Sequence, residues 1–218
     1  MVDELLRGHD AFRQRYLGDE RDFLRRLASG GQSPSALYIG CSDSRVVPEL
    51  LTASSPGDLF VVRNVANLVP RFEHADASVG AALEYAVGHL HVAHVIVCGH
   101  YGCGGVKAVV DGLDHVQTLP SLHEWLGPVG PAVDRARAAG LEGDALWRRA
   151  VEESVLSQLE NLVTFPSLAA AHAAGDLALH GWIYDLFTLA LEAFDPQTGR
   201  FVPVDRLLAR TIRPPPPA

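Results

Sequence analysis

Two short loops in this sequence contain the residue types that bind transition metals. The first loop begins at Cys41 and reads Cys-Ser-Asp-Ser-Arg, and the second places His100 three residues before Cys103 among glycines. Each loop directly follows an apolar run, at residues 36–39 and 95–98. Because the carboxyl ends of parallel strands meet at one edge of a sheet, we expect the loops to lie close together. Two thiolates and an imidazole suit zinc, which would keep a fourth tetrahedral position open.

Each of these residues also has a simpler explanation. A single cysteine, such as Cys41 or Cys103, is often a small buried apolar residue, and a single histidine such as His100 is often a hydrogen-bonded core residue. Cys98 lies within an apolar run, and we predict that it is a core residue only. The metal interpretation therefore depends on finding all three candidate ligands together at two strand ends.

Asp43 and Arg45 complete the first loop. Two residues apart on an irregular turn, they can form a charge-assisted pair that keeps the carboxylate ionised and oriented. Such a pair commonly does no more than order a loop. Beside zinc, Asp43 has two chemical options: it can accept a hydrogen bond from hydroxide on the metal, or it can ligate zinc itself and close the site.

The pattern of apolar residues along the chain predicts the strands and helices that position these loops. Short apolar runs bounded by Gly, Pro or Asp are typical of strands buried on both faces of a parallel sheet. We predict one α/β domain over residues 1–218, with a central, mostly parallel β-sheet flanked by helices. It has a helical N-terminal arm at 1–30 and a Pro-rich tail at 208–218, where 214–217 is polyproline. Strands are predicted at 36–39, 59–62, 95–98, 177–184, 186–194 and 200–204, and helices at 76–90, 121–138 and 145–163.

Composition excludes several classes of function. The 218 residues carry a net charge of −8, which argues against nucleic acid as the main partner. Three cysteines, an odd number, do not make a disulfide framework and favour a reducing compartment. The N-terminus lacks the pattern of a signal peptide, and no apolar run is long enough to cross a bilayer. We therefore expect a cytoplasmic protein that does not bind membranes.

The two metal loops together resemble the signature of the β-class carbonic anhydrases. The segments 56–67, 81–87 and 180–184 are similar to other parts of that family, and the resemblance covers about residues 20–194. It implies reversible hydration of carbon dioxide to bicarbonate and a proton, with zinc-bound hydroxide as the nucleophile. Cys41, His100 and Cys103 would bind Zn²⁺, Asp43 would orient the hydroxide and Arg45 would hold Asp43.

The resemblance also implies a substrate pocket. Phe60, Val65 and Tyr85 would line a small apolar space for carbon dioxide, and Gln32 would donate a hydrogen bond to bicarbonate. These four residues could equally be ordinary core and turn residues.

A regulatory site and an oligomer follow from the same resemblance. Some family members have a second, non-catalytic bicarbonate site made by Trp, Arg and Tyr, and the matching residues here are Tyr38, Arg63 and Tyr184. Arg63 could instead pair with a neighbouring carboxylate. A homodimer or homotetramer is implied, and the apolar stripes of the N-terminal arm fit a role in contacting a partner subunit.

Two alternatives remain open from the sequence. One is a non-catalytic zinc domain in which Asp43 permanently occupies the fourth ligand position. The other is an enzyme on the same scaffold that acts on another small linear substrate, such as carbon disulfide.

Overall fold

The computed structural model describes residues 2–18 and 20–211. The strands are Ala36–Cys41 (β1), Leu59–Asn64 (β2), His94–Tyr101 (β3), Ala178–Asp185 (β4), Leu191–Asp195 (β5) and Arg200–Pro203 (β6). The α-helices are Val2–Leu17 (α1), Arg21–Gly30 (α2), Pro48–Thr52 (α3), Ala77–Glu84 (α4), Gly104–Val110 (α5), Pro120–Leu126 (α6), Gly130–Ala138 (α7), Gly143–Leu162 (α8), Pro166–Ala174 (α9) and Val204–Thr211 (α10). Short 3₁₀ turns lie at Val65–Asn67, Phe72–His74, Leu113–Val116 and Gly127–Val129.

The strands form one mixed sheet in the order β2-β1-β3-β4-β5-β6. The first four are parallel to one another, and β5 and β6 continue the sheet in antiparallel pairing. The predicted mostly parallel sheet is therefore confirmed. Cys41, at the end of β1, pairs with Asn64 of β2, and His100, near the end of β3, pairs with Tyr184 of β4. The two chemistry-bearing loops thus leave neighbouring strands at the same edge.

The larger core lies between one face of the sheet and the helices that follow β2 and β3. Helix α8 packs directly on β3, and a Cβ added at Gly99 would lie 2.7 Å from Cγ2 of Val155. Only glycine permits this close approach, which fixes the end of β3 against the helix. A smaller cluster on the opposite face contains Ala36, Tyr38, Ile96 and Cys98.

The segment predicted as one strand over 186–194 is a turn followed by a shorter strand. Residues 186–190 form the turn, and β5 begins at Leu191. Asp185 causes the difference, because its Oδ1 accepts hydrogen bonds from the backbone N–H groups of Phe187 and Thr188. Leu189 then adopts a left-handed conformation with φ 59°. A side chain that bonds its own backbone in this way competes with strand pairing.

Two helix predictions also need correction, and other helices were not predicted. The helix predicted over 76–90 is α-helical only to Glu84 and continues as a π-helix over Tyr85–His89, and the expected N-cap, Asp76, accepts from the N–H groups of Ser78 and Val79. The predicted helix at 121–138 is divided by a 3₁₀ turn at Gly127–Val129, because prolines follow both glycines there. Helices α3 and α9 were missed, although each begins with a proline at its first turn.

The N-terminal arm is confirmed as two helices, and neither α1 nor α2 contains a buried residue. At the other end, residues 208–211 of the predicted tail belong to α10, whereas the polyproline segment lies outside the described residues. Within residues 2–18 and 20–211, no helix combines the length and hydropathy required to span a membrane.

Candidate metal centre

Cys41, His100 and Cys103 lie together at the carboxyl edge of the sheet. One potential ligand atom from each residue lies within 4.8 Å of the others. All three side chains are buried, and His100 is fully so. Two sulfurs and one imidazole nitrogen, converging in a water-poor position, are the donor set that zinc prefers in proteins.

Hydrogen bonds favour negative charge on the sulfur of Cys41. The thiol of Cys103 donates to Cys41 and lowers the pKa of Cys41 to about 4, although burial acts in the opposite direction. The same contact raises the pKa of Cys103. The backbone N–H groups of Asp43 and Ala66 also donate to Cys41. Ala66 has a left-handed φ of 64°, which is uncommon for a residue with a side chain. It packs against Gly105 of the second metal loop.

The ring of His100 is oriented by a hydrogen bond to the backbone of the next residue. Its Nδ1 lies 3.1 Å from the carbonyl oxygen of Tyr101, which can accept only if Nδ1 carries the proton. The other nitrogen, Nε2, then presents its lone pair to the cluster. Nε2 is buried and has no hydrogen-bond partner in the described part of the chain. An orphaned buried acceptor costs free energy, and coordination of a cation would satisfy it.

The predicted pair of Asp43 and Arg45 is confirmed. Nε and Nη2 of Arg45 donate to Oδ1 and Oδ2 of Asp43 at 2.9 and 2.7 Å, and the backbone N–H of Arg45 donates to Oδ1 at 3.0 Å. The guanidinium of Arg45 holds the pKa of Asp43 well below its ordinary value. Oδ2 of Asp43 lies 3.8 Å from Nε2 of His100, so the carboxylate faces the ligand cluster.

Close packing fixes the second loop against the segment after β2. A Cβ added at Gly105 would lie 3.0 Å from Cβ of Ala66 and 3.1 Å from Cγ1 of Val65. Two indole groups reinforce the arrangement from outside. Nε1 of Trp125 donates to the carbonyl of Val65, and Nε1 of Trp147 donates to the carbonyl of Cys103. Sequence inspection did not identify either tryptophan.

The residues expected to line a substrate pocket are partly brought together. The rings of Phe60 and Tyr85 lie with centroids 5.8 Å apart. Val65 is 38% exposed and Tyr85 is 42% exposed, so neither is an ordinary core residue. Tyr85 begins the π-helix, a feature that is frequent at functional sites. Gln32 is exposed in the loop between α2 and β1.

The side chain of Arg63 bonds backbone carbonyls of the first metal loop. Its Nε donates to the carbonyl of Cys41 at 3.0 Å, and its Nη2 donates to the carbonyl of Asp43 at 2.7 Å. Among the described residues, Arg63 therefore bonds backbone carbonyls and not the side chain of a neighbouring carboxylate, which was the alternative interpretation from the sequence. Tyr38 and Tyr184 pack in the smaller core cluster. The hydroxyl of Tyr38 is buried without a hydrogen-bond partner among the described residues, and burial raises the pKa of Tyr38.

Cys98 is a core residue, as predicted. It is fully buried in the smaller cluster, and burial raises the pKa of its thiol to about 12. The structure thus separates this cysteine from the two whose sulfurs face His100.

One group beside the centre was missed by sequence inspection. The phenol of Tyr101 contacts Glu152 and Glu192, and burial together with these two carboxylates raises the pKa of Tyr101. No local spacing connects the three residues, because they come from different elements of the fold.

Comparison with known proteins agrees with this geometry. A family model described as "Carbonic anhydrase" matches residues 36–190. Carbonic anhydrase 1 of Escherichia coli O157:H7 is 40% identical over 222 residues, covering 98% of this chain and 99% of that protein. The match extends well beyond the two metal loops.

Solved structures give the same result. The β-carbonic anhydrase CcaA is 40% identical and superposes with a TM-score of 0.87, covering 93% of this chain and 98% of that one. A tetrameric β-carbonic anhydrase of Sordaria macrospora is 31% identical, with a TM-score of 0.76 and coverage of 92% and 98%. The chain therefore belongs to the β-carbonic anhydrase family, whose reaction, the reversible hydration of carbon dioxide, it catalyses.

Proposed function

We propose that this chain hydrates carbon dioxide with one Zn²⁺ held by Cys41, His100 and Cys103. The observation that carries the proposal is the convergence of three buried ligand atoms within 4.8 Å. The orphaned Nε2 of His100 supports the assignment, because a cation is the partner that this lone pair lacks. Three protein ligands leave a fourth position for chemistry. Measurement of zinc content and of carbon dioxide hydration on the same sample tests the proposal.

The metal would supply a nucleophile. When bound there, zinc would lower the pKa of a coordinated water molecule far below that of bulk water and so make hydroxide available as the nucleophile. The thiolates of Cys41 and Cys103 donate more charge than neutral imidazoles do, so we expect this water to be less acidic than in a site of three histidines. Activity should therefore increase toward alkaline pH.

Asp43 is the group that orients the attacking oxygen. Its carboxylate is kept ionised by Arg45 and lies beside the ligand cluster. An ionised carboxylate only accepts hydrogen bonds, so it would accept one from the O–H of the hydroxide, which keeps its proton, and would aim the oxygen lone pair at carbon. The new carbon–oxygen bond yields bicarbonate, and the proton of the next water leaves to solvent. Arg45 positions Asp43 through two parallel bonds.

Apolar side chains would bind the substrate. Carbon dioxide is small and carries no charge, so a dry surface favours its entry. The adjacent rings of Phe60 and Tyr85 offer such a surface, and Val65 packs against Gly105 of the second metal loop. We assign Gln32 the role of donating an amide hydrogen bond to bicarbonate.

Bicarbonate also regulates the enzyme in this proposal, through Tyr38, Arg63 and Tyr184. The guanidinium of Arg63 fits a planar anion, and the buried hydroxyl of Tyr38 is available as a donor. Arg63 presently bonds the carbonyls of Cys41 and Asp43. An anion that takes these donors would free the loop, so that Asp43 could leave Arg45 and ligate zinc. Such binding would shift the population toward a closed, inactive state.

A second copy of the chain would cover the N-terminal arm. Helix α1 has no buried residue, yet Leu5, Leu6 and Phe12 are exposed on it. An apolar surface of this kind is typical of an interface. We propose a homodimer or a homotetramer, and the β-carbonic anhydrases of Sordaria macrospora are tetrameric. A reducing compartment such as the cytoplasm fits the site, because its two thiolates have to stay reduced.

A further inference from the structure

The phenol of Tyr101 lies between two carboxylates that come from different elements. Its oxygen is 3.0 Å from Oε1 of Glu152 on α8 and 3.0 Å from Oε2 of Glu192 on β5. A phenol has one proton, so it donates to one carboxylate at a time while the other remains in reach. The guanidinium carbon of Arg148 lies 3.5 Å from the centroid of the ring. Two carboxylates and one guanidinium therefore contact the side chain of Tyr101.

Tyr101 is also the residue that orients His100. The carbonyl oxygen of Tyr101 accepts from Nδ1 of His100 at 3.1 Å, which leaves Nε2 free to face the two cysteines. Partners of this kind fix the tautomer and the orientation of a metal-binding histidine. Here the partner is a backbone carbonyl, so its position depends on what holds the Tyr101 residue.

The contacts of the phenol extend to the neighbouring strand. Tyr101 pairs in register with Asp185 of β4, and Arg148 lies 3.5 Å from the carboxylate of Asp185 while it covers the Tyr101 ring. The end of β3 is thus connected to α8, β4 and β5 at the point where the chain turns toward Cys103. Movement of the Tyr101 side chain would rotate the peptide that His100 bonds.

We propose that Tyr101 is a positioning residue for metal binding, and that Glu152 and Glu192 anchor its phenol so that its carbonyl holds His100 in the ligating orientation. The inference rests on the proposed function only in taking His100 as a ligand. Neither glutamate touches the three ligand residues, so both act through Tyr101.

Helix α8 offers a matched control. Glu153 is adjacent to Glu152 and is more buried, but its ion pairs are with Arg135 at 2.8 Å and Arg149 at 2.6 Å. Removal of Glu153 perturbs the salt bridges of the same helix without removing a partner of the phenol. It therefore separates a general loss of stability from a loss of anchoring.

The test measures the rate at which zinc-loaded protein releases its metal to a chromogenic chelator. Tyr101→Phe keeps the ring and removes the hydroxyl, and we expect zinc release about 10-fold faster than in the parent. In cobalt-substituted protein, the d–d bands, which report the coordination geometry of the metal, should change in Tyr101→Phe. Glu153→Ala should lower the thermal midpoint yet keep the parent's release rate and spectrum. If Tyr101→Phe does not fold, the double variant Glu152→Ala, Glu192→Ala carries the same expectation.

Each outcome decides the inference. Zinc release at the parent rate in the folded anchoring variant overturns it, and so does equally fast release from Glu153→Ala. A parent that holds no zinc overturns the metal assignment together with the inference. A zinc-loaded parent that is matched by Tyr101→Phe overturns the inference alone.

Discussion

The carboxylate of Asp43 is bound by two side-chain nitrogens of Arg45, and its Oδ2 lies 3.8 Å from Nε2 of His100. The carboxylate therefore borders the ligand cluster while a guanidinium holds it. In the mechanism that we propose, Asp43 would have two positions, one on Arg45, as observed, and one on the metal. The first would leave the fourth ligand position to the reacting oxygen, and the second would occupy it.

Replacement of Arg45 tests the first position. In Arg45→Ala the carboxylate loses its bidentate partner, and we expect kcat/KM for hydration to fall about 10-fold because Asp43 is no longer aimed. Zinc content should remain that of the parent, since Arg45 does not contact the three ligand residues. Arg45→Lys keeps the positive charge but cannot make the bidentate contact, so its kcat/KM should lie between the values of the parent and of Arg45→Ala. Parent activity in Arg45→Ala would contradict the role given to this pair.

The pH profile should increase toward the alkaline range. Hydroxide would form from the coordinated water as pH rises. Because two thiolates donate charge to the metal, we expect the pKa of this water to be raised, so that hydroxide forms at more alkaline pH. At lower pH less hydroxide would compete for the metal position, so ligation by Asp43 would be favoured and activity should fall further. We expect low hydration rates near neutral pH, measured by stopped flow across a buffer series at constant ionic strength. A flat profile from neutral to alkaline pH would count against this mechanism.

Bicarbonate should inhibit more than product inhibition alone explains. Arg63→Ala removes the guanidinium that would bind the second anion, and the extra inhibition should disappear while zinc stays in place. Tyr38→Phe serves as a companion variant, because it removes one hydroxyl from the same cluster and should weaken the response. The measurement is the initial hydration rate against added bicarbonate. An unchanged bicarbonate response in Arg63→Ala would refute the regulatory site.

Light scattering at micromolar concentration should give a dimer or tetramer. Phe12→Glu places a charge in the exposed apolar stripe of α1, so we expect smaller species at equal concentration. Gln14→Glu is the matched control, since two residues along a helix correspond to a turn of about 200° and put it on the other face. A monomeric parent, or an equal effect of both variants, would exclude a subunit contact through this stripe.

Local and topological patterns explain what could be predicted from the sequence. Asp43 and Arg45 are two residues apart, so their pairing needed no knowledge of the fold. Cys41 and His100 could be brought together because parallel strands place their carboxyl ends at one edge. The short apolar runs at 36–39 and 95–98 were sufficient to locate those strands.

Contacts between distant elements explain what could not be predicted. Tyr101 is 51 residues from Glu152 and 91 from Glu192, and no periodicity relates them. The turn at 186–190 depends on the hydrogen bonds that the carboxylate of Asp185 accepts from the backbone N–H groups of Phe187 and Thr188, which compete with strand pairing. The π-helix at Tyr85–His89 covers only five residues, and over so short a segment its spacing of apolar residues cannot be distinguished from that of an α-helix.

The central claim is that Cys41, His100 and Cys103 bind the zinc that carbon dioxide hydration requires. The most direct measurement is stopped-flow hydration together with zinc content on the same samples of parent and Cys103→Ser. A serine hydroxyl ionises poorly and is a weak ligand, so the variant should lose most of its zinc and its activity together. The parent should contain one zinc per chain and hydrate carbon dioxide. A Cys103→Ser protein with full zinc and full activity would contradict the assignment.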